Sequence, residues 1–165
     1  MFFTTKAEYG VRLLIELGRQ GQDHPVSLKA VADGENLPLA YLERIVALLK
    51  RAELVESTRG AHGGYGLARA PEKIAMDEVV LALEGSLAPM ECFVDDRNDD
   101  GRVLCSHHDD SGRGCATKLL WTRVQVGVLK TLADTTLAEL INFQIRPLPP
   151  AGQRAAPDPR THAPA

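Results

Sequence analysis

Apolar residues recur at helical spacing along much of the chain, and the places where that spacing fails mark its boundaries. Thr5-Lys-Ala-Glu8 has the pattern of a capping box, Thr5 accepting from the first turn and Glu8 reaching back. The helix it opens carries Val11, Leu14 and Ile15 and fades over Gly18 to Gly21. Ser27, two residues after Pro25, reads as the N-cap of a short helix through Ala30 and Val31, which Gly34 to Pro38 breaks. A third helix is predicted from about Leu39 to Ala52, with Leu42, Ile45, Val46 and Leu49 on one side. A short helix, a tight turn and a longer amphipathic helix form the helix-turn-helix pattern. The period then changes. Leu54 to Thr58 is strand-like, Arg59-Gly-Ala-His-Gly-Gly64 is a turn, and Tyr65 to Leu67 resumes as strand. Three glycines in five residues are expected to supply the positive φ angles of a tight hairpin. Helix-turn-helix followed by a hairpin is a winged helix.

Beyond Pro71, Met76 to Leu83 predicts one more short helix. Glu84 to Asp110 then holds eight acids against two bases, Arg97 and Arg102, and cannot bury enough apolar surface to fold alone. A long helix is predicted from Ala116 to Ala133, with Trp121, Val124, Val128 and Leu132 on one stripe suited to face a partner. A shorter helix, about Thr136 to Phe143, follows. From Arg146 onward Pro, Ala and charge dominate, the composition of a disordered tail. The expected fold is mainly α with a small β-hairpin wing: a winged helix-turn-helix at 1–84, a cysteine-containing loop at 85–115, a dimerisation helix and C-terminal helix at 116–145, and a tail at 146–165.

Composition narrows the class. The 165 residues are 44% hydrophobic, enough for a real core. With 19 basic and 22 acidic side chains the net charge is -3, so any nucleic-acid surface must be local rather than global. No apolar run approaches the roughly 20 residues that span a bilayer, and MFFTTKAEYGVRLL lacks the pattern of a signal peptide. Three cysteines without an export signal argue against a disulfide framework. The expectation is a cytoplasmic protein without membrane partners.

Segment 43–69 carries Arg44, Lys50, Arg51, Arg59 and Arg69 against Glu43, Glu53 and Glu56. A recognition helix needs short or polar side chains near its N-terminus to reach base edges, and Ala40, Tyr41, Glu43 and Arg44 occupy those places. Glu43 can accept from cytosine N4, and Arg59 on the wing, next to Gly60, can enter the minor groove or bind phosphate. His62 in the same turn is a further candidate DNA contact. The alternative is a helical hairpin with solvated charges, and the glycine-rich hairpin favours double-stranded DNA. Cys92, twelve residues, Cys105, nine residues and Cys115 lie in one polar, acid-rich stretch. Thiolates are soft ligands for zinc or iron–sulfur clusters, although this spacing fits neither a zinc ribbon nor a ferredoxin run. Polar flanks leave burial without force as the reason for these thiols. His107 and His108 can complete a Cys/His tetrad. No nucleophile elbow, P-loop or dinucleotide fingerprint is present, so neither an enzyme nor a small-molecule substrate is expected.

Three stretches resemble the Rrf2 family of winged-helix transcriptional regulators, in its three-cysteine, IscR/NsrR-like type. They are TTKAEYGVRLLIEL, LAYLERIVALLKRAELVESTRGAHGGYGLAR, and CATKLLW followed by TLAEL. The likeness spans roughly residues 1–145. It implies a homodimer joined through the helix of residues 116–133, and an iron–sulfur cluster, 2Fe–2S or 4Fe–4S, on Cys92, Cys105 and Cys115. It also implies that Glu43 reads a base and that Arg59 enters the minor groove. Both intervals between the cysteines are longer here than is usual in the family, and loop closure grows only slowly more costly with length. IscR-like members carry a histidine where this chain has Lys118, a poor iron ligand. NsrR-like members supply an aspartate from the first helix, which points to Glu8 as fourth ligand, with His107 and His108 as local alternatives. The implied function is a cluster-dependent DNA-binding regulator, a repressor that senses nitric oxide, redox state or cluster supply. A zinc-stabilised structural or protein-interaction module is the rival reading.

Overall fold

Four helices and a hairpin bury their apolar sides against one central helix. The computed structural model describes residues 3–21, 24–60, 63–89 and 116–143. The central helix, α1 (Thr5–Gln20), buries Ala7, Gly10, Leu13, Leu14 and Leu17, a stripe at helical spacing. Leu13 and Leu17 therefore lead the buried face together with Leu14, while Val11 and Ile15 are only half-buried at its margin. The cap also differs from the sequence expectation. Thr4, not Thr5, is the N-cap, and its hydroxyl accepts from the Lys6 N–H at 3.2 Å. The partner carboxylate is Glu84, which accepts from the Thr4 N–H at 3.1 Å and the Thr4 hydroxyl at 2.6 Å. Glu8 lies one residue too far along the helix to reach back, because the third helical position is Ala7.

Helix α2 (Leu28–Glu35) starts as expected at Ser27, whose hydroxyl accepts from the Ala30 N–H at 3.1 Å. It ends at Asn36 in the left-handed region, φ 53°, with the Leu37 N–H bonded back to Ala32. Arg12 fastens this end to α1. Its Nε donates to the Glu35 carboxylate at 2.8 Å and its guanidinium also donates to the Glu35 carbonyl at 2.7 Å. Helix α3 (Leu39–Arg51) buries Leu42, Ile45, Val46 and Leu49, the predicted face.

The wing follows a sharp reversal at Glu53, φ 56°. Strands β1 (Val55–Thr58) and β2 (Gly64–Leu67) pair antiparallel, with Val55 opposite Leu67 and Ser57 opposite Tyr65. Val26, between α1 and α2, adds a single bridge outside β2, its N–H and C=O both bonded to Tyr65 at 2.9 Å. The glycines of this turn do not all serve the purpose expected of them. Gly60 has φ +121°, but Gly63 and Gly64 carry no positive φ. They are small because backbone crowds them. A Cβ on Gly63 would sit 2.3 Å from the Thr58 carbonyl oxygen, and one on Gly64 would sit 2.6 Å from the Val26 carbonyl.

After a 3-10 turn at Pro71–Lys73, α4 (Met76–Glu84) buries Met76, Val79, Val80 and Leu83 against α1 and α3. Gly10 allows this approach, since a Cβ there would meet a Leu83 methyl at 2.3 Å. Helix α5 (Ala116–Ala133) packs against α4, and none of residues 117–133 is buried. Helix α6 (Leu137–Asn142) has the capping box that α1 lacks, between Thr136 and Glu139. It returns to the first unit: Leu137 is fully buried in the shared core, its N–H donates to Ile74 at 2.9 Å, and Ile141 lies against Gly18. Among the described residues no helix is long and apolar enough to cross a membrane.

Candidate nucleic-acid interface and cysteine segment

Burying Leu42, Ile45, Val46 and Leu49 forces the opposite side of α3 outward. Ala40, Glu43, Arg44, Ala47, Lys50 and Arg51 are all exposed there, at the three- and four-residue steps of one helical face. Tyr41 is half-buried, its ring edge-on to Tyr9 of α1 with centroids 5.8 Å apart. That contact orients the first turn of α3 from behind. Arg59 and Gly60 stand exposed at the end of β1.

The cations of this face make no ion pair among the described residues. Among the described residues the ion pairs join Lys6 to Glu84, Arg12 to Glu35, Arg19 to Glu16, Lys29 to Asp33 and Arg69 to Glu78. Arg44, Lys50, Arg51 and Arg59 are in none of them. A chain with net charge -3 thus keeps four cations exposed on α3 and the wing outside any ion pair, with Glu43, Glu53 and Glu56 exposed along the same segment. Such a face attracts phosphate locally, whatever the sign of the total charge. Arg69, by contrast, is spoken for, its guanidinium 2.7 Å from Glu78 and also donating to the Lys73 carbonyl.

One feature of this face was not legible in the sequence. Lys50 donates to the Ser57 hydroxyl at 2.7 Å, and its ammonium lies 5.9 Å from the centre of the Tyr65 ring. A helix-periodic reading assigns Lys50 only to a basic surface; its partners depend on how β1 and β2 fold back.

A second exposed surface is apolar. Val124, Val128 and Leu132 of the predicted stripe line an open groove with Phe3, Arg123, Gly127 and Thr131. Trp121 is half-buried one turn away, and Leu119, Leu120 and Val126 are more than half exposed.

Cys92, Cys105, Cys115, His107, His108 and His62 lie outside the described residues, as does the tail from Arg146. Among the described residues no group of three His, Cys, Asp or Glu is placed to hold a metal ion. Glu8, the donor proposed from α1, is exposed, and its carboxylate is in no hydrogen bond or ion pair among the described residues.

The chain is similar to known proteins along most of its length. The family model Rrf2, described as an iron-dependent transcriptional regulator, matches residues 3–143. The protein rrf2 of Nitratidesulfovibrio vulgaris is 35% identical over 141 residues, 86% of this chain and 87% of that one. Among solved structures, CymR, the global cysteine regulator of B. subtilis, is similar with a TM-score of 0.69 and 32% identity, covering 87% of this chain and 98% of that one. The IscR of T. potens gives a TM-score of 0.66 and 33% identity over 86% of each.

Proposed function

The chain belongs to the Rrf2 family of transcriptional regulators and is not an enzyme, and from that premise we propose that it is a cytoplasmic homodimeric repressor whose hold on its operator depends on an iron–sulfur cluster. The observation that carries the DNA-binding part is the row of unpaired cations on α3 and the wing. Glu43 and the small Ala40 stand among them at the N-terminal half of α3, where a recognition helix meets base edges. In this reading Arg44 and Arg51 hold phosphates, Glu43 limits which base pairs are accepted, and Arg59 with Gly60 and His62 reaches the adjacent groove.

The groove along α5 takes the same helix of a second chain. A helix with exposed Leu119, Leu120 and Val126 and no buried residue over 117–133 is stabilised mainly by what covers it. The division of labour is then residues 1–84 for DNA, 85–115 for the cluster and 116–145 for pairing. Helix α6 belongs to the pairing segment by sequence and to the DNA-binding core by packing.

Cys92, Cys105 and Cys115 would hold the cluster, with Glu8 as the fourth ligand and His107 or His108 in its place if the loop closes on itself. A bound cluster supplies an iron centre sensitive to nitric oxide and redox state. The chain's own contribution is connectivity. Residues 85–115 leave α4 directly after Glu84, the carboxylate that caps α1, and enter α5. Tension in that segment therefore reaches both the dimer helix and the helix behind Tyr41. Differential stability of about 1–3 kcal/mol between two dimer arrangements is enough for allosteric control.

The test is anaerobic purification with iron, sulfide and zinc analysis, followed by binding to a duplex selected from a random library. The expected result is a brown protein with visible absorption that air or nitric oxide bleaches, and operator affinity that changes with it. A colourless protein containing zinc, or affinity indifferent to the cluster, overturns the sensing reading.

A further inference from the structure

We propose that Lys50 is a positioning residue that sets the wing against the recognition helix, rather than a phosphate contact. The inference rests on the DNA-binding reading above and concerns how that same surface is aimed. Lys50 sits one residue before the end of α3, on the exposed face that carries Glu43 and Arg44. Its ammonium donates to the Ser57 hydroxyl of β1 at 2.7 Å and lies 5.9 Å over the Tyr65 ring of β2. Ser57 and Tyr65 are directly opposed in the hairpin, so one cation engages both strands at a single rung. Tyr65 is also the residue that Val26 bridges from the other side.

Arg59 follows Ser57 by two residues, the period over which a strand returns to the same face. A rotation of the hairpin about its root therefore displaces Arg59 relative to Glu43. The root itself is short, with a single residue, Glu53, taking the left-handed reversal between α3 and the strand entry. Lys50 spans that reversal. Holding the long lysine in one geometry costs rotamer entropy in the free protein, and having it already ordered lowers the cost of docking helix and wing together.

A phosphate contact and a positioning contact have different signatures. Lys50→Met, Ser57→Ala, the double variant and Lys50→Arg are to be compared as whole chains. The duplex is one enriched from a random-sequence library against the unmutated protein, and binding is measured across a salt series. Positioning predicts that Lys50→Met and Ser57→Ala each weaken binding by about threefold to tenfold, the range of one hydrogen bond. The double variant should then lose no more than the worse single one. The slope of affinity against salt should stay constant, and Lys50→Arg, which can still donate to Ser57, should restore most of the affinity. If Lys50→Met flattens the slope by about 0.9, one released phosphate counterion, while Ser57→Ala binds normally, Lys50 is a phosphate ligand and the proposal fails. Amide exchange of Glu56 and Gly66, the hydrogen-bonded rung next to Ser57 and Tyr65, decides the link independently in the DNA-free protein. Both single variants should speed it, and unchanged exchange overturns the link. Absence of DNA binding by the unmutated chain would instead strike the functional reading and leave the exchange result to judge Lys50.

Discussion

Gly64→Ala should loosen the wing from the body of the protein. The added methyl would lie 2.6 Å from the carbonyl carbon and oxygen of Val26 and 2.9 Å from its nitrogen. These are backbone atoms, so no rotamer change relieves the overlap, and either Val26 or β2 must withdraw. Withdrawal breaks the two 2.9 Å hydrogen bonds between Val26 and Tyr65, worth about 0.5–1.5 kcal/mol each. Residual crowding adds about 1 kcal/mol or more. Alanine's lower unfolded-state entropy returns about 0.4–1 kcal/mol. The balance is a loss of about 2 kcal/mol, read as a lower urea midpoint at fixed protein concentration, because the stability of any oligomer depends on concentration. Amide exchange should localise the damage to Val26 and Tyr65. The control is Gly34→Ala in α2, where a Cβ meets nothing within 4 Å and helix propensity predicts a gain of about 0.5–1 kcal/mol. A Gly64→Ala protein as stable as the parent, with Val26 and Tyr65 still protected, would refute the close-approach account.

Three further outcomes separate the remaining assignments. Val124→Asp with Val128→Asp places two charges in the α5 groove and should convert the sedimenting species to monomer; a persistent dimer would locate the interface elsewhere. Arg59→Ala should weaken operator binding and lower its salt dependence, whereas Glu43→Ala should relax base preference at smaller cost in affinity, and unaltered preference would remove Glu43 from base reading. Thr4→Ala should cost about 1 kcal/mol of cluster-free stability through the lost cap. Glu8→Ala should leave that stability nearly unchanged and alter the visible spectrum of the cluster-loaded protein; a spectrum that changes only with His107→Ala or His108→Ala assigns the fourth ligand to the loop.

The elements themselves were legible along the chain, because each announces itself through neighbours a few residues apart. The face of α3 is a period, Leu42, Ile45, Val46 and Leu49 inside, and its complement necessarily exposes Glu43 and Arg44. Ser27 caps a bond three residues away, and the hairpin's two strands flank their own turn. Glu43 and Arg59 could be placed on the exposed surface for the same reason. Contacts that join distant segments have no such signature. Thr5-x-x-Glu8 has the form of a capping box, yet Thr4 takes the role because Glu84, eighty residues away, supplies the carboxylate. Gly63 and Gly64 look like turn glycines and are in fact the sites where Thr58 and Val26 press closest. Helix α6 follows α5 in sequence, but Leu137 completes the core around α1, because the apolar face of a short helix is stable only where a cavity of matching shape receives it. Periodicity states which side of an element turns inward. What it turns toward, and therefore the aim of Lys50, Tyr41 and the wing, is decided by three-dimensional packing alone.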